Sequence, residues 1–329
     1  MLEHGGRLRT AARQYEIPLA DWLDLSTGIN PNGYPLPPLD PACWQRLPED
    51  DDGLEEAAAA YYGNARVLAL PGSQAAIQIL PALFPPAAVA CLSPIYEEHP
   101  QAWLRAGHRL RRLPSLQRAL AAATPNILLC NPNNPTAVTQ TRSALLDAAA
   151  QLQRRGGWLI VDEAFGDTEP DNGVVSLAGS EDAPNLRVLR SLGKFFGLAG
   201  ARVGFIFGAP EKLGRLREAL GPWPLSGPAR AVARHALNDT FWQTQARVDL
   251  AAGGERLAAL LVPLGEVSCT ALFSAVATPE VSALSEHFAR RAILIRHFET
   301  AGLLRFGLPG KETEWQRLAL AIKEWKPAC

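Results

Sequence analysis

The residues best suited to chemistry sit in one glycine-rich stretch, Ser191-Leu-Gly-Lys194-Phe-Phe-Gly-Leu-Ala-Gly-Ala-Arg202-Val-Gly. A lysine among small residues is sterically open, and an amine held near other cations gives up its proton readily, as a Schiff-base nucleophile must. Ser191 and Arg202 flank it with a hydroxyl and a planar donor fork suited to a phosphate. Upstream, Asp162 closes the apolar run Trp158-Leu-Ile-Val161. A carboxylate buried there is costly unless a cation pairs with it, and a protonated ring nitrogen is such a cation. The same Asp could instead cap a following helix. Asn131-Pro-Asn-Asn134-Pro-Thr carries two Asn-Pro steps, which favour extended backbone and hold the Asn134 amide in a fixed direction. In Leu70-Pro-Gly-Ser73-Gln74 the backbone N–H groups of Ser73 and Gln74 would face an anion if a helix starts there, although Gly-Ser is also an ordinary helix start. Tyr96 offers a ring to stack on an aromatic ligand, or simply to pack.

These groups need a scaffold that brings them together. Short apolar runs at Val67 to Leu70, Ala87 to Leu92, Asn126 to Cys130, Gly157 to Val161, Leu186 to Arg190 and Val203 to Gly208 alternate with helical-length segments. That pattern predicts an α/β domain with a mostly parallel sheet flanked by helices. The first five runs end at the clusters just named, and in an open α/β sheet ligands bind beyond the carboxyl ends of the strands. An anion cradle, a ring partner, a counter-charge for a ring nitrogen and an amine for an aldehyde would then share one site. Those are the contacts of pyridoxal 5'-phosphate (PLP), whose protonated ring acts as an electron sink.

After Gly208 the sequence shifts to long Ala/Leu/Arg helices, with Pro222, Pro224, Gly227 and Pro228 marking a hinge. The expected organisation is an N-terminal segment, 1–30, lying on a small domain; a large cofactor domain, 31–224; and a small α+β domain, 225–329. In the last, strand-like runs at Ala271 to Val276, Ala292 to Arg296 and Leu303 to Phe306 mix with two amphipathic helices.

Composition narrows the function classes. The 32 basic and 33 acidic residues nearly cancel, so no long-range field recruits nucleic acid or a membrane surface, and a small-molecule substrate is expected. The five cysteines, Cys43, Cys91, Cys130, Cys269 and Cys329, are scattered and never spaced as C-x-x-C. This argues against a disulfide framework or a metal site and for a cytoplasmic protein with reduced thiols. No apolar stretch approaches membrane-spanning length, and the start has no signal-peptide run. Neither G-x-G-x-x-G nor G-x-x-x-x-G-K-[ST] occurs, which removes a nucleotide-binding reading of the α/β core.

Taken in order along nearly the whole chain, these segments resemble the class I/II aminotransferase family, whose fold is PLP fold type I. The resemblance implies that Lys194 carries the cofactor, that Asp162 faces its ring nitrogen, Asn134 its ring hydroxyl and Tyr96 its ring face, and that Ser73, Gln74, Ser191 and Arg202 hold its phosphate. It implies a homodimer. It also assigns Arg305, in Leu303-Leu-Arg-Phe-Gly, to a substrate carboxylate.

Within the family, His4-Gly-Gly, Asp24-Leu-Ser-Thr-Gly28-Ile-Asn-Pro-Asn-Gly and Leu303-Leu-Arg-Phe-Gly-Leu-Pro-Gly resemble a branch of decarboxylases that act on a phosphorylated amino acid. On that likeness His4, Gly5 and Gly28, with Asn134, Arg296 and Arg305, bind the substrate's phosphate and carboxylate. A transaminase of the histidinol-phosphate type needs the same residues and is the alternative. A non-catalytic relative is disfavoured because Lys194 and Asp162 are both present. The chain departs from the family pattern at Phe165, where many relatives have tyrosine after Asp-Glu-Ala; at Leu47-Pro48, where many have Tyr-Pro; and at Gly28, often Asn, where only backbone can make a contact.

Overall fold

The computed structural model describes residues 4–122 and 124–326; Cys329 lies outside the described residues. A two-residue strand, β1 (Leu23–Asp24), precedes the strands of a seven-stranded sheet: β2 (Val67–Leu70), β3 (Ala88–Leu92), β4 (Arg109–Leu113), β5 (Asn126–Cys130), β6 (Leu159–Asp162), β7 (Leu186–Ser191) and β8 (Gly204–Phe207). Five more follow: β9 (Glu266–Cys269), β10 (Phe273–Ala277), β11 (Ile293–Leu294), β12 (Arg296–Phe298) and β13 (Leu303–Gly307). The chain divides into two compact units, one of Gly33–Asn134 with Thr139–Gln245, the other of the chain up to Asn32, Pro135–Val138 and the chain from Ala246 on.

The larger unit is built on the sheet in the order β2-β8-β7-β6-β5-β3-β4. Strands β4, β3, β5, β6 and β7 run parallel, while β8 is antiparallel to both of its neighbours. The expected mostly parallel sheet is therefore present, and the carboxyl ends of β2, β3, β5, β6 and β7 share one edge. Central strands β5, β6 and β7 are buried along their whole length, which is why they read as continuous apolar runs. Strand β4, Arg-Leu-Arg-Arg-Leu, was not expected as a strand. It is an edge strand whose arginines stay exposed, so it carries no apolar run. On one side of the sheet Trp103 stacks on Trp158, with ring centroids 4.8 Å apart, amid Leu68, Leu128, Ile160 and Ile206.

The smaller unit has an antiparallel sheet, β12-β13-β10-β9, packed by helix Val281–Ala289, and a parallel pair formed by β1 and β11. The N-terminal segment belongs here: Ala11 and Trp22 pack with Ala289 and Ala292. The proline-rich hinge expected near 222–228 does not coincide with the division of the units. Helix Gly227–Asn238 packs on helix Leu54–Tyr62 of the larger unit, and the division falls at Gln245/Ala246, inside helix Thr240–Leu261. No helix among the described residues is long and apolar enough to cross a membrane.

Candidate active site

Sheet register accounts for the phosphate-directed group. Ser191 at the end of β7, Gly204 at the start of β8 and Leu70 at the end of β2 form one row of paired residues. Arg202 precedes that row and Gly72-Ser73 follows it. Gly72 has φ 75° and ψ 154°, a conformation that favours glycine, and opens the helix Ser73–Ile79. Its missing Cβ leaves room for the Arg202 guanidinium, whose Nη2 would lie 2.7 Å from such an atom. Arg202 is itself left-handed, with φ 54° and ψ 51°, and its Nη1 donates to the Ala199 carbonyl at 3.3 Å. A guanidinium thus lies against the first turn of a helix whose N–H groups, at Ser73 and Gln74, have no partner within the helix. Ser191 is buried, and its Oγ accepts from Gly193 N at 3.3 Å.

The ring-directed group centres on Asp162. Its carboxylate is 5 % exposed, Oδ1 accepts from Ala164 N at 3.0 Å, and Oδ2 lies 2.8 Å from His99 Nε2. The bond to Ala164 closes a turn and is not a helix cap: the short helix that follows, Gly166–Thr168, has Phe165 at its N-cap. With Asp162 ionised, His99 Nε2 is the donor. His99 is buried, and sequence reasoning missed it; the available signal was its place one helical turn beyond Tyr96. Tyr96 donates from its hydroxyl to Gln74 Oε1 at 3.2 Å, and its ring meets that of His99 edge to face at 6.2 Å. Burial, with Glu98 and Asp162 nearby, pushes the Tyr96 phenol up to about 12. Cys130 joins the same cluster, and burial holds its thiol well above the ordinary range.

The loop after β5 is pinned by paired bonds between Asn131 and Gln140, and by Asn133 Nδ2 donating to the Pro94 carbonyl at 2.9 Å. Half-buried Asn134 follows it. Half-buried Lys194 has its Nζ 5.2 Å from the centroid of the buried Phe165 ring, where many relatives would present a phenol.

The smaller unit holds His4, Gly5, Gly28, Arg296 and Arg305, expected at the substrate; Asn134, expected there too, belongs to the larger unit. Arg305 on β13 is 7 % exposed and donates from Nη2 to the Ser26 carbonyl at 2.8 Å. Gly5 is pressed onto that same carbonyl: a Cβ on it would lie 2.3 Å from the oxygen. Ser26 Oγ accepts from Gly6 N at 2.7 Å and donates to Asp24 Oδ1 at 2.6 Å. Arg296 on β12 sits directly opposite Arg305 in the antiparallel register. Gly28 is buried and His4 exposed. His4, Gly5, Ser26 and Arg296 line a cavity of about 190 Å³ to which Arg7 and His297 also contribute.

The donor set of the larger unit fits PLP: an amine at Lys194, a buried carboxylate at Asp162, and a guanidinium seated in a glycine turn at a helix start. Fold and site together define a PLP-dependent enzyme of fold type I. The family model for aminotransferase class I and II matches residues 47–322, and the chain belongs to that family. It is 51% identical over 329 residues to a threonine-phosphate decarboxylase of Pseudomonas aeruginosa, covering 99% of this chain and 98% of that one. To a protein of the same name from Sinorhizobium sp. it is 39% identical, covering 97% of each. Among solved structures it resembles a histidinol-phosphate aminotransferase of Sinorhizobium meliloti in complex with pyridoxal-5'-phosphate, with a TM-score of 0.80 at 21% identity, covering 98% of this chain and 95% of that chain.

Proposed function

We propose that this chain decarboxylates O-phospho-L-threonine to (R)-1-aminopropan-2-yl phosphate, as a cytoplasmic homodimer serving cobalamin biosynthesis. The observation that carries this reading is the 51% identity, over nearly the whole of both chains, to a threonine-phosphate decarboxylase. Exposed apolar side chains of the larger unit, Leu36, Trp44, Leu47 and Phe241, support the dimer.

PLP, when bound, supplies the electron sink for the bonding pair that the departing carboxylate leaves behind. Lys194 would hold it covalently, and its Nζ would carry the proton destined for Cα. Asp162, oriented by His99, keeps the ring nitrogen protonated. Ser73, Gln74, Ser191 and Arg202 bind the phosphate, Tyr96 packs on the ring, and Asn134 orients ring hydroxyl and substrate.

On the substrate side, like charges directly opposite across two strands are destabilising. Arg296 and Arg305 stand in that relation, and anionic substrate groups would offset the repulsion. In this reading Arg305 binds the carboxylate, while Arg296, His4, Gly5 and the Gly28 backbone bind the phosphate. Fixing both ends of the substrate orients the Cα–carboxylate bond and so selects decarboxylation over proton loss.

The test is carbon dioxide release from O-phospho-L-threonine, with and without 2-oxoglutarate. Release in step with amine, independent of the oxo acid, is expected. Faster turnover of histidinol phosphate with 2-oxoglutarate would replace this reading by the transaminase.

A further inference from the structure

Strands β6 and β7 pair in parallel register from Leu159↔Leu186 to Asp162↔Leu189, and one more backbone bond, Glu163 N to Leu189 O at 2.9 Å, closes the ladder. The next rung would set Glu163 opposite Arg190. There the backbones part: Gly166 N turns back onto the Glu163 carbonyl, and β7 ends at Ser191 before the turn that carries Lys194. Side chains make the rung instead. Arg190 Nη2 lies 2.7 Å from Glu163 Oε2, with the two side chains 1% and 0% exposed. Because side chains alternate along a strand, this pair occupies the face opposite that of Asp162 and Ser191, its immediate neighbours in sequence.

The chain is folded around this guanidinium. Its Nη1 reaches Asp167 Oδ1 at 3.4 Å, and it stands 5.1 Å from the Tyr62 ring centroid. Glu163 Oε1 accepts from Val174 N at 2.7 Å. Gly166 and Gly173 border the guanidinium, and a Cβ on either would come within 2.7 Å of its nitrogens. A buried ion pair of this kind adds little net stability, since well-packed apolar side chains of similar volume often serve as well or better. What it adds is position: one guanidinium stands 2.7 Å from Glu163 and 3.4 Å from Asp167, and so ties the segment after β6 to the end of β7.

We propose that Arg190 and Glu163 are positioning residues that set the span between the Asp162 carboxylate and the Lys194 amine. The inference rests on the reading above, in which those two groups engage one rigid cofactor ring. A misplacement of about 1 Å in such an arrangement costs roughly 100-fold in rate.

The decisive protein is the apolar double variant Glu163→Leu/Arg190→Met, measured beside wild type for thermal unfolding without PLP, PLP dissociation, the pH dependence of the bound cofactor's visible band, and kcat against KM. The expected result is a protein that still folds, though less stably because buried Asp167 loses its cation, with faster PLP loss, a displaced pH profile, and kcat lower by about 100-fold with KM little changed. Wild-type PLP retention, pH profile and kcat in the folded double variant would overturn the proposal. Should that variant not fold, Arg190→Lys decides by the same measurements: it keeps the charge and loses the fork, so near-wild-type stability with weakened PLP retention and kcat supports positioning, and wild-type behaviour in all of them overturns it. A wild-type protein in which borohydride fixes no PLP on Lys194 would sink the cofactor reading, a result separate from either outcome.

Discussion

The cofactor-directed and substrate-directed residues are held in different ways. In the larger unit each group lies at or just beyond the end of a buried strand, and sheet register sets its position: Ser191, Gly204 and Leu70 share a row, and Cys130 pairs with Asp162. In the smaller unit the groups converge on one backbone carbonyl, that of Ser26, which accepts from Arg305 and abuts Gly5, while two arginines face each other across neighbouring strands. The first arrangement suits a rigid cofactor that stays bound. In the proposed reading the second receives the substrate. The contrast predicts that damage to one region loosens the cofactor and damage to the other weakens the substrate.

The largest effect falls on Lys194. Lys194→Ala should abolish turnover and leave no PLP fixed by borohydride, assayed by mass spectrometry of the reduced protein; an active variant would remove the distinction altogether. Next comes Arg305→Ala, which should keep its cofactor spectrum while losing about 2 to 5 kcal/mol of transition-state binding, roughly 30-fold to several thousand-fold in kcat/KM. Bleaching of the cofactor in that variant would show that the two regions do not act separately.

Two glycines sharpen the comparison at smaller scale. Gly5→Ala drives a Cβ into the Ser26 carbonyl, so it should raise KM for the phosphorylated substrate, at a cost of about 1–3 kcal/mol, without altering PLP affinity. Gly72→Ala meets only the tip of Arg202 but must adopt positive φ, so it should weaken PLP binding by about 1–3 kcal/mol, read by equilibrium dialysis, and leave KM unchanged. If both variants shift the same parameter, the division of labour fails.

The smallest expected effect is alkaline. Burial pushes the Cys91 thiol up to about 11 from an ordinary 9.0. The folded protein therefore keeps a proton that the unfolded chain releases, and stability is full below pH 9 and falls as pH rises toward 11. Tyr96, pushed up to about 12, adds a further loss above pH 10. Arg187 opposes it there, because burial lowers that guanidinium to about 10. Between pH 9 and 10 the two buried thiols, Cys91 and Cys130, lose stability together, so Cys91→Ala should reduce the fall of the unfolding midpoint there without removing it; an unchanged slope would assign the loss to Cys130.

The sequence by itself was enough for the α/β class and for the strands whose buried runs are continuous, and it marked Lys194, Asp162, Asn134 and Arg202 as candidates, because each sits in a short segment whose composition and position beside a strand are local properties. Resemblance alone singled out His4, Gly5, Gly28, Arg296 and Arg305, which are ordinary residues in isolation. Tertiary structure decided the rest. His99 is an unremarked helix residue until folding sets it 2.8 Å from Asp162. Glu163 and Arg190, 27 positions apart, become one rung only through the parallel register of β6 and β7. Strand β4 and the division of the units within helix Thr240–Leu261 were equally hidden, one by its exposed arginines and the other by a helix that continues unbroken through it. Such pairings depend on which strands become neighbours and in what register, and burial of the whole sheet settles that, where a window of sequence cannot.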